Sequence, residues 1–561
     1  MNAQAAPAGF DPITLEVVRN KLESIANEMQ FTLLHCAFSP LVKEGMDCSA
    51  ALFMPAGETL AQATAIPVHL GTMTPAVSAI LGDYPLGTMA PGDAYILNDP
   101  YCGGSHLPDV TILTPLFTQD EVLALCVTTV HHQDVGGMSI GSLPSSATEV
   151  YQEGLRLPPL RFIERGKPNE TLHKILRLNS RTPTAFLGDL GAQLSACTVA
   201  QRRLTELVAA YGVGALRRLF QELLDRSERM TRDALRALPQ GEFTCTDWLD
   251  NDGVDLDRRI PITVRVVVAD GTIHFDFTGC GPQVKGPLNC VPAGALAASY
   301  YSTRALTDPR IPSNGGCYRP VTVHLPEGSI VNPRPPAAVN SRLATIKRLC
   351  AVIVGAFADA MPDRVPAMPG NVLTALTFGG QRGDGSRFMV SELIAAGSGA
   401  GASADGVDCV QTDGSNSMNL PVEALMLDAP IRVRRFELRR DSGGVGTHRG
   451  GLGVTREYDI QVDDVRVSYR GERHHTQARG SQGGGPGAFA LATVIRADGR
   501  IEALASKAML VMNRGDRLVL GTAGGGGFGP PHRRSRERVT ADLADGKISP
   551  QIARSVHGVE P

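Results

Sequence analysis

The hydrophobic period of the chain changes near residue 240, and that change limits the folds open to it. "LGDLGAQLSACTVAQRRLTELVAAYG" and "VGALRRLFQELLDRSERMTRDALRALP" repeat apolar side chains every three or four positions, which predicts nearly continuous helix over 185–239. The next stretch, "QGEFTCTDWLDNDGVDLDRRIPITVRVVVADGTIHFDFTG", alternates instead, with turn signals at Asp252-Gly253 and Asp270-Gly271. Helices and strands in separate blocks indicate a mixed α+β architecture of several domains. A length of 561 residues agrees, since one hydrophobic core does not grow that large.

Further elements follow from local pattern. "FDPITLEVVRNKLESIANEMQFTLLHCAF" reads as a helix capped by Asp11, with Pro12 in its first turn. Its apolar face is expected on Ile13, Val17, Ile25 and Met29, with Leu22 and Leu33 close by. "MDCSAALFMPAGETLAQA" predicts two strands joined at Ala56-Gly57, and "VHLGTMTPAVSAILGDY" a second helix. Short strands are expected at "AYILNDP", "VTILTPLF" and "VLALCVTTVHH", and helices again at "LAASYYSTRAL" and "RLATIKRLCAVIVGAFADAM". The last quarter concentrates glycine in tracts at 443–453, 479–487 and 521–529, so strands there are broken by turns. The resulting division is an α/β region at 1–239, a mixed middle region at 240–384, a β-rich region at 385–532 and a charged tail at 533–561.

Composition excludes several functions. With 54 basic against 57 acidic residues the net charge is -3, which leaves no electrostatic footprint for nucleic acid or an anionic membrane. No segment is apolar for long enough to span a bilayer, and "MNAQAAPAGFDP" lacks the basic and apolar parts of a secretory signal. The cysteines number 11 and form no C-x-x-C pair, so disulfide frameworks and cysteine zinc clusters are not indicated. A cytoplasmic protein with reduced thiols is the expectation.

The chemistry concentrates in "NDPYCGGSHLPDVTIL". His106 and Asp109 lie in a turn between two strands, with Pro108 stiffening it and Gly103-Gly104 permitting positive φ before it. An imidazole and a carboxylate three residues apart can face one cation there. His131 and His132 end the next strand, where neighbours point to opposite faces, so alternation alone does not choose between them. Glu44 and Asp47 in "LVKEGMDCSAALF" offer a further carboxylate. A His, a carboxylate and a second His from adjacent strands suit Zn, Mn or Fe. "TAGGGGFGPP" lacks the G-K-[ST] ending of a phosphate loop and reads as a structural turn. No G-x-S-x-G elbow supports a serine hydrolase. Cys102 reads as small packing, and Asn419 and Glu423 as capping or cavity-lining residues.

"DPITLEVVRNKLESIANEM", "VKEGMDCSAALF", "GDAYILNDPYCGGSHLPDVTI" and "TTVHHQDVGG" closely resemble the hydantoinase B/oxoprolinase family. "FTGCGPQVKGPLN", "NGGCYRPVTVHLPEGSIVNPRPP", "FELRRDSGGVGTHRGGLGVTREY" and "GTAGGGGFGPP" continue the match in order, over about residues 10–532. Carried over by position, the resemblance implies a divalent metal held by Asp47, His106, Asp109 and His131. It makes His132 and Asp134 supporting residues and Glu44 a proton-transfer residue. It further implies an α2β2 assembly in which a hydantoinase A-type partner binds ATP and Mg and phosphorylates a hydantoin, 5-oxoproline or lactam ring. This chain would then supply activated water for hydrolysis. The alternative it carries is a subunit of an ATP-dependent acetone or acetophenone carboxylase.

Overall fold

The structure, a computed structural model, describes residues 11–118, 121–370 and 374–560. Residues 1–10, where the signal-peptide reading fell, lie outside the described residues. Four sheets carry the fold among the described residues, which confirms the mixed α+β class. The first has seven strands: β1 (Cys48–Phe53), β2 (Thr59–Gln62), β3 (Ala94–Leu97), β4 (Asp109–Thr118), β5 (Glu121–His131), β6 (Leu160–Glu164) and β7 (Lys167–Pro168). They run in the order β2-β1-β5-β4-β3-β6-β7, each pair antiparallel.

Helices cover both faces of this sheet, which is why its central strands read as almost unbroken apolar runs. Cys48, Ala50, Leu52, Ala124, Cys126 and Val130 face a core shared with helices Pro12–Cys36 and Pro183–Tyr211. Ala51, Phe53, Leu125 and Val127 face the opposite way, onto Met73, Val77 and Ile80 of helix Pro67–Asp83. Adjacent residues of one strand thus enter different cores. The first helix begins as expected, with the Asp11 carboxylate accepting from Thr14 N at 3.1 Å. Its buried stripe differs from the expected one. Leu15, Val18, Leu22, Ile25, Met29 and Leu33 are buried, whereas Ile13 is 73% and Val17 40% exposed. Ile13 and Val17 share helical spacing with Ile25 but sit on the flank of the face that meets the sheet.

The long helical block is divided at Gly212, whose φ of 74° and ψ of 150° separate helix Pro183–Tyr211 from Val213–Arg236. A second sheet then forms from β8 (Gly241–Leu249), β9 (Ile260–Ala269), β10 (Thr272–Asp276) and β11 (Val321–His324). Asp270 and Gly271, with φ of 50° and 74°, make the tight hairpin between β9 and β10. Helices Pro292–Leu306 and Arg342–Gly355 pack on this sheet. A third sheet joins Thr374–Gln381, Arg387–Ile394, Val465–Arg470 and Lys507–Met512. A fourth joins Ile431–Leu438, Val454–Ile460, Arg517–Gly521, Leu491–Ile495 and Ile501–Ala503, and the two share one core.

The glycine tracts are more than turns. A Cβ on Gly450 would lie 2.0 Å from Gly525 O, and one on Gly525 1.8 Å from Ser398 O, so the backbones touch where side chains would normally separate them. Amides of "TAGGGG" are consumed in this contact: Gly525 N donates to Gly451 O and Gly527 N to Gly485 O, both at 2.9 Å. They are not free to cradle a phosphate. The charged tail folds into helices Arg536–Ala544 and Pro550–His557, pinned by buried Arg534 on Asp405 at 2.7 Å and Asp542 at 2.6 Å. No described helix is long and apolar enough to cross a membrane.

The displaced stripe of the first helix makes a stability prediction. Met29→Ala should cost about 2–5 kcal/mol by cavity formation, while Ile13→Ala should stay within about 0.5 kcal/mol. Thermal unfolding of both variants beside the parent chain distinguishes the two faces.

Candidate metal centre

The loop between β3 and β4 is built to present His106 and Asp109. Asn98 anchors it from both sides, its Nδ2 donating to Leu107 O at 2.7 Å and its Oδ1 accepting from Leu157 N at 2.7 Å. Of the two glycines expected to need positive φ, Gly103 has it, at 99°. Gly104 is required for space instead, because a Cβ there would lie 2.5 Å from Asn98 O. Asp99 accepts from Tyr101 N and binds Arg156 Nε at 2.9 Å, so its role is to hold the turn. Burial pushes the Cys102 thiol up, in keeping with packing rather than reactivity.

Asp109 opens β4 and pairs in register with His131 at the end of β5. Three donor atoms converge there. His106 Nε2 is 2.7 Å from Asp109 Oδ1, His131 Nδ1 is 3.0 Å from the same oxygen, and the two ring nitrogens are 3.1 Å apart. His106 Nδ1 lies 3.2 Å from the carbonyl oxygen of Asn340, which can only accept, so Nδ1 carries the hydrogen and Nε2 presents its lone pair. Burial, together with the Arg342 guanidinium, pushes His106 well below its ordinary value and keeps the ring neutral. Burial alone would raise the Asp109 carboxyl, but the Arg342 guanidinium bonded to it holds it well below the usual range. A lone pair therefore faces an anionic oxygen at 2.7 Å, an arrangement that calls for a cation between them. Ligands about 2.1 Å from one ion and at the right angles of an octahedron stand about 3.0 Å apart, which the triangle matches. The donor set thus fits a divalent metal.

Two residues that carry no motif complete the surroundings. His69, on helix Pro67–Asp83, places Nε2 3.5 Å from Asp47 Oδ1 and 3.7 Å from Asp109 Oδ1. Its Nδ1 lies 3.4 Å from Ser49 Oγ. Sequence reading missed it, although it is the one titratable residue of that helix before Asp83. Arg342, at the start of helix Arg342–Gly355, donates from Nε to Ser105 Oγ at 2.6 Å and from Nη2 to Asp109 Oδ2. Asp109 thus gives one oxygen to Arg342 and the other to the triangle.

The other expected site residues divide as follows. Asp47, 8% exposed, reaches the triad through His69, and its backbone carbonyl accepts from His131 N at 3.1 Å. His132 points to the opposite face, where its ring meets the edge of Phe186 and its Nε2 lies 3.2 Å from Gln193 Oε1. Burial lowers its pKa to about 4. Asp134 is occupied by Arg181 at 2.8 Å and by Gly136 N, so it secures the backbone beyond β5. Glu44 is half-buried at the end of the short helix Pro40–Lys43 and makes no side-chain hydrogen bond among the described residues. Asn419 donates to Cys409 Sγ at 3.7 Å. Glu423 lies in the first turn of helix Val422–Asp428.

Behind His106 lies a second buried carboxylate. Glu153 accepts from Val339 N at 2.9 Å and Asn340 N at 2.8 Å, which fixes the backbone leading into Asn340, the residue whose carbonyl orients His106. Burial pushes this carboxyl up to about 8 despite those donors.

The hydantoinase B/oxoprolinase family model matches residues 11–531. The chain belongs to that family. An uncharacterized protein of Methanocaldococcus jannaschii is 35% identical over 96% of this chain and 94% of its own length. A putative D-/L-hydantoinase component from a Pseudomonas species is 32% identical over 98% and 95% of the two chains. The crystal structure of ATP-dependent caprolactamase from Pseudomonas jessenii superposes with a TM-score of 0.91 at 30% identity, covering 98% of this chain and 97% of that one.

Two outcomes follow for the centre. Metal analysis of the purified protein should find a bound divalent cation that disappears in Asp109→Ala and persists in Glu44→Gln. Glu153 takes up a proton on folding between its ordinary 4.5 and about 8, so its contribution to stability falls as pH rises through that window and is constant above it. Between pH 5 and 8 the parent chain should therefore lose thermal stability relative to Glu153→Gln, by up to about 1.4 kcal/mol per unit of pKa difference.

Proposed function

We propose that this chain is the metal-bearing subunit of an ATP-dependent cyclic amidase that opens a hydantoin, 5-oxoproline or lactam ring. The observation that carries the reading is a partly enclosed cavity into which the centre opens, lined by Asp47, His69, His106 and His131. Leu41, Ile66, Val68, Leu288, Leu343 and Leu393 supply much of the remaining wall. Apolar walls suit a small ring, and the enclosure keeps bulk water from an activated substrate. The named relatives, a hydantoinase component and a caprolactamase, both fall in this chemical class.

A divalent cation at the centre would supply Lewis-acid charge and lower the pKa of water it binds. The protein's own groups do the rest. Asn340 O holds His106 in the tautomer that offers Nε2. Arg342 keeps Asp109 ionised and its Oδ1 turned to the triad. His69, between Asp47 and Asp109, is placed to take a proton from water at the centre and share it with the Asp47 carboxylate. An unactivated amide is a poor electrophile, and the glycine run at 522–527 spends amides on backbone contacts rather than on a phosphate. ATP and Mg are accordingly assigned to a hydantoinase A-type partner, with α2β2 as the assembly.

Reconstitution with that partner tests the reading. ATP consumption should depend on the cyclic amide, stop on treatment with a chelator and recover with metal. His106→Ala should lower ring opening by roughly a hundredfold or more without preventing assembly. ATP consumption that needed bicarbonate and a ketone instead would replace the amidase by a carboxylase.

A further inference from the structure

The cavity holds one charge that the centre does not use. Among the described residues that line it, Arg342 is paired with Asp109, Lys507 with Glu472, Glu392 with Arg456 and His69 with Asp47. Arg470, the last residue of strand Val465–Arg470, has no carboxylate bonded to it. Its Nη1 donates to two neutral acceptors, Asn340 Oδ1 at 3.1 Å and Ser341 Oγ at 2.9 Å. Its Nε and Nη2 have no acceptor among the described residues and are not among the fully enclosed unsatisfied atoms, and the residue lines the cavity. Burial and the neighbouring Arg342 lower Arg470 only to about 10, so it stays charged at neutral pH. Glu153, the carboxyl whose field reaches it, gives its oxygens to Val339 N and Asn340 N and forms no ion pair with it.

A partly buried guanidinium with two donor atoms unused and no carboxylate paired to it gains by taking up an anion. Two features make the place favourable for one. The first turn of helix Arg342–Gly355, through Ser341, Arg342, Leu343 and Ala344, lines the same cavity and presents the positive end of its dipole. Asn340 links the two positions, its carbonyl meeting His106 Nδ1 and its side chain meeting Arg470.

We propose that Arg470 binds an oxyanion of the ligand inside the cavity, either the phosphoryl group of an activated ring or a carboxylate carried by the ring. The planar guanidinium offers Nε and Nη2 as a parallel pair of donors, the geometry that grips two oxygens of such a group. The proposal rests on the cavity being the substrate site but does not require the reaction to be amide hydrolysis.

Calorimetric titration of the purified, metal-loaded protein with inorganic phosphate, and separately with acetate, tests it. The parent chain should bind phosphate saturably. Arg470→Gln should weaken that binding by roughly tenfold or more, and Arg470→Lys should weaken it measurably but less, because an ammonium keeps the charge and loses the parallel pair of donors. Binding of phosphate but not acetate identifies the phosphoryl source, and comparable binding of acetate identifies the carboxylate. His106→Ala should keep phosphate binding while losing ring opening, which separates this site from the amidase reading and from anion capture by the metal. Equal phosphate affinity in the parent and Arg470→Gln, absence of saturable binding of either anion, or loss of binding in His106→Ala would each overturn the proposal. Circular dichroism establishes that the variants are folded, and Arg470→Lys carries the test if Arg470→Gln is not.

Discussion

The site depends on how the Asp109 carboxylate is shared. Oδ2 meets the Arg342 guanidinium and Oδ1 meets His106 and His131, and all four side chains are almost wholly buried. An isolated charge at that depth would neutralise itself or drive the chain open. Arg342 prevents the first by keeping Asp109 ionised, and the contact joins positions 233 residues apart. It ties the first sheet to the helix that covers the second, so the centre exists only when both have folded. Removing one partner of such a buried pair typically costs about 3–5 kcal/mol.

The same device recurs away from the centre. Asp247 on β8 binds Arg348 at 2.8 Å and Arg473 at 2.9 Å. Burial would raise that carboxyl, and the two guanidiniums more than reverse it. Glu392 of the third sheet joins Arg456 and Tyr458 of the fourth, and Glu472, just past the third sheet's strand Val465–Arg470, joins Lys507 and accepts from Asp250 N beyond β8. Each network carries positive and negative members from distant segments, so charge compensation rewards one mutual arrangement of the sheets. The glycine tracts act in the opposite way, by removing side chains so that three backbones can hydrogen-bond directly. Arg470 stands out against this background because its compensation is incomplete.

Much of the site was legible because its main residues are close in sequence and lie on strand ends. Asp109 and His131 are register partners on adjacent strands, and His106 is one turn of loop away. Strand alternation established that His131 and His132 face opposite ways, but not which face carries the centre. That depended on which helix covers which side. Helix Pro67–Asp83, with His69, covers the side of Leu125 and Val127, which His131 shares. Helix Pro183–Tyr211, with Phe186 and Gln193, covers the side of Ala124 and Cys126, which His132 shares. His69, Arg342 and Arg470 escaped notice for one reason. Each is one polar residue among several in an ordinary helix or strand, and its partners in the site lie on other elements.

By itself the sequence determined the element types, the separation of helical from strand-rich blocks, and the short stretch that bears His106 and Asp109. Those properties are local, being set by hydrophobic period, capping residues and turn residues over a few positions. The tertiary structure alone decided which flank of the first helix is buried and why the glycine tracts tolerate no side chain, and it supplied the physical reason that His131, the histidine implied by the family resemblance, is the one that joins Asp109. It also decided that an arginine 233 positions away holds Asp109 charged. These depend on which surfaces meet across the core, and no local periodicity encodes a contact between segments that distant.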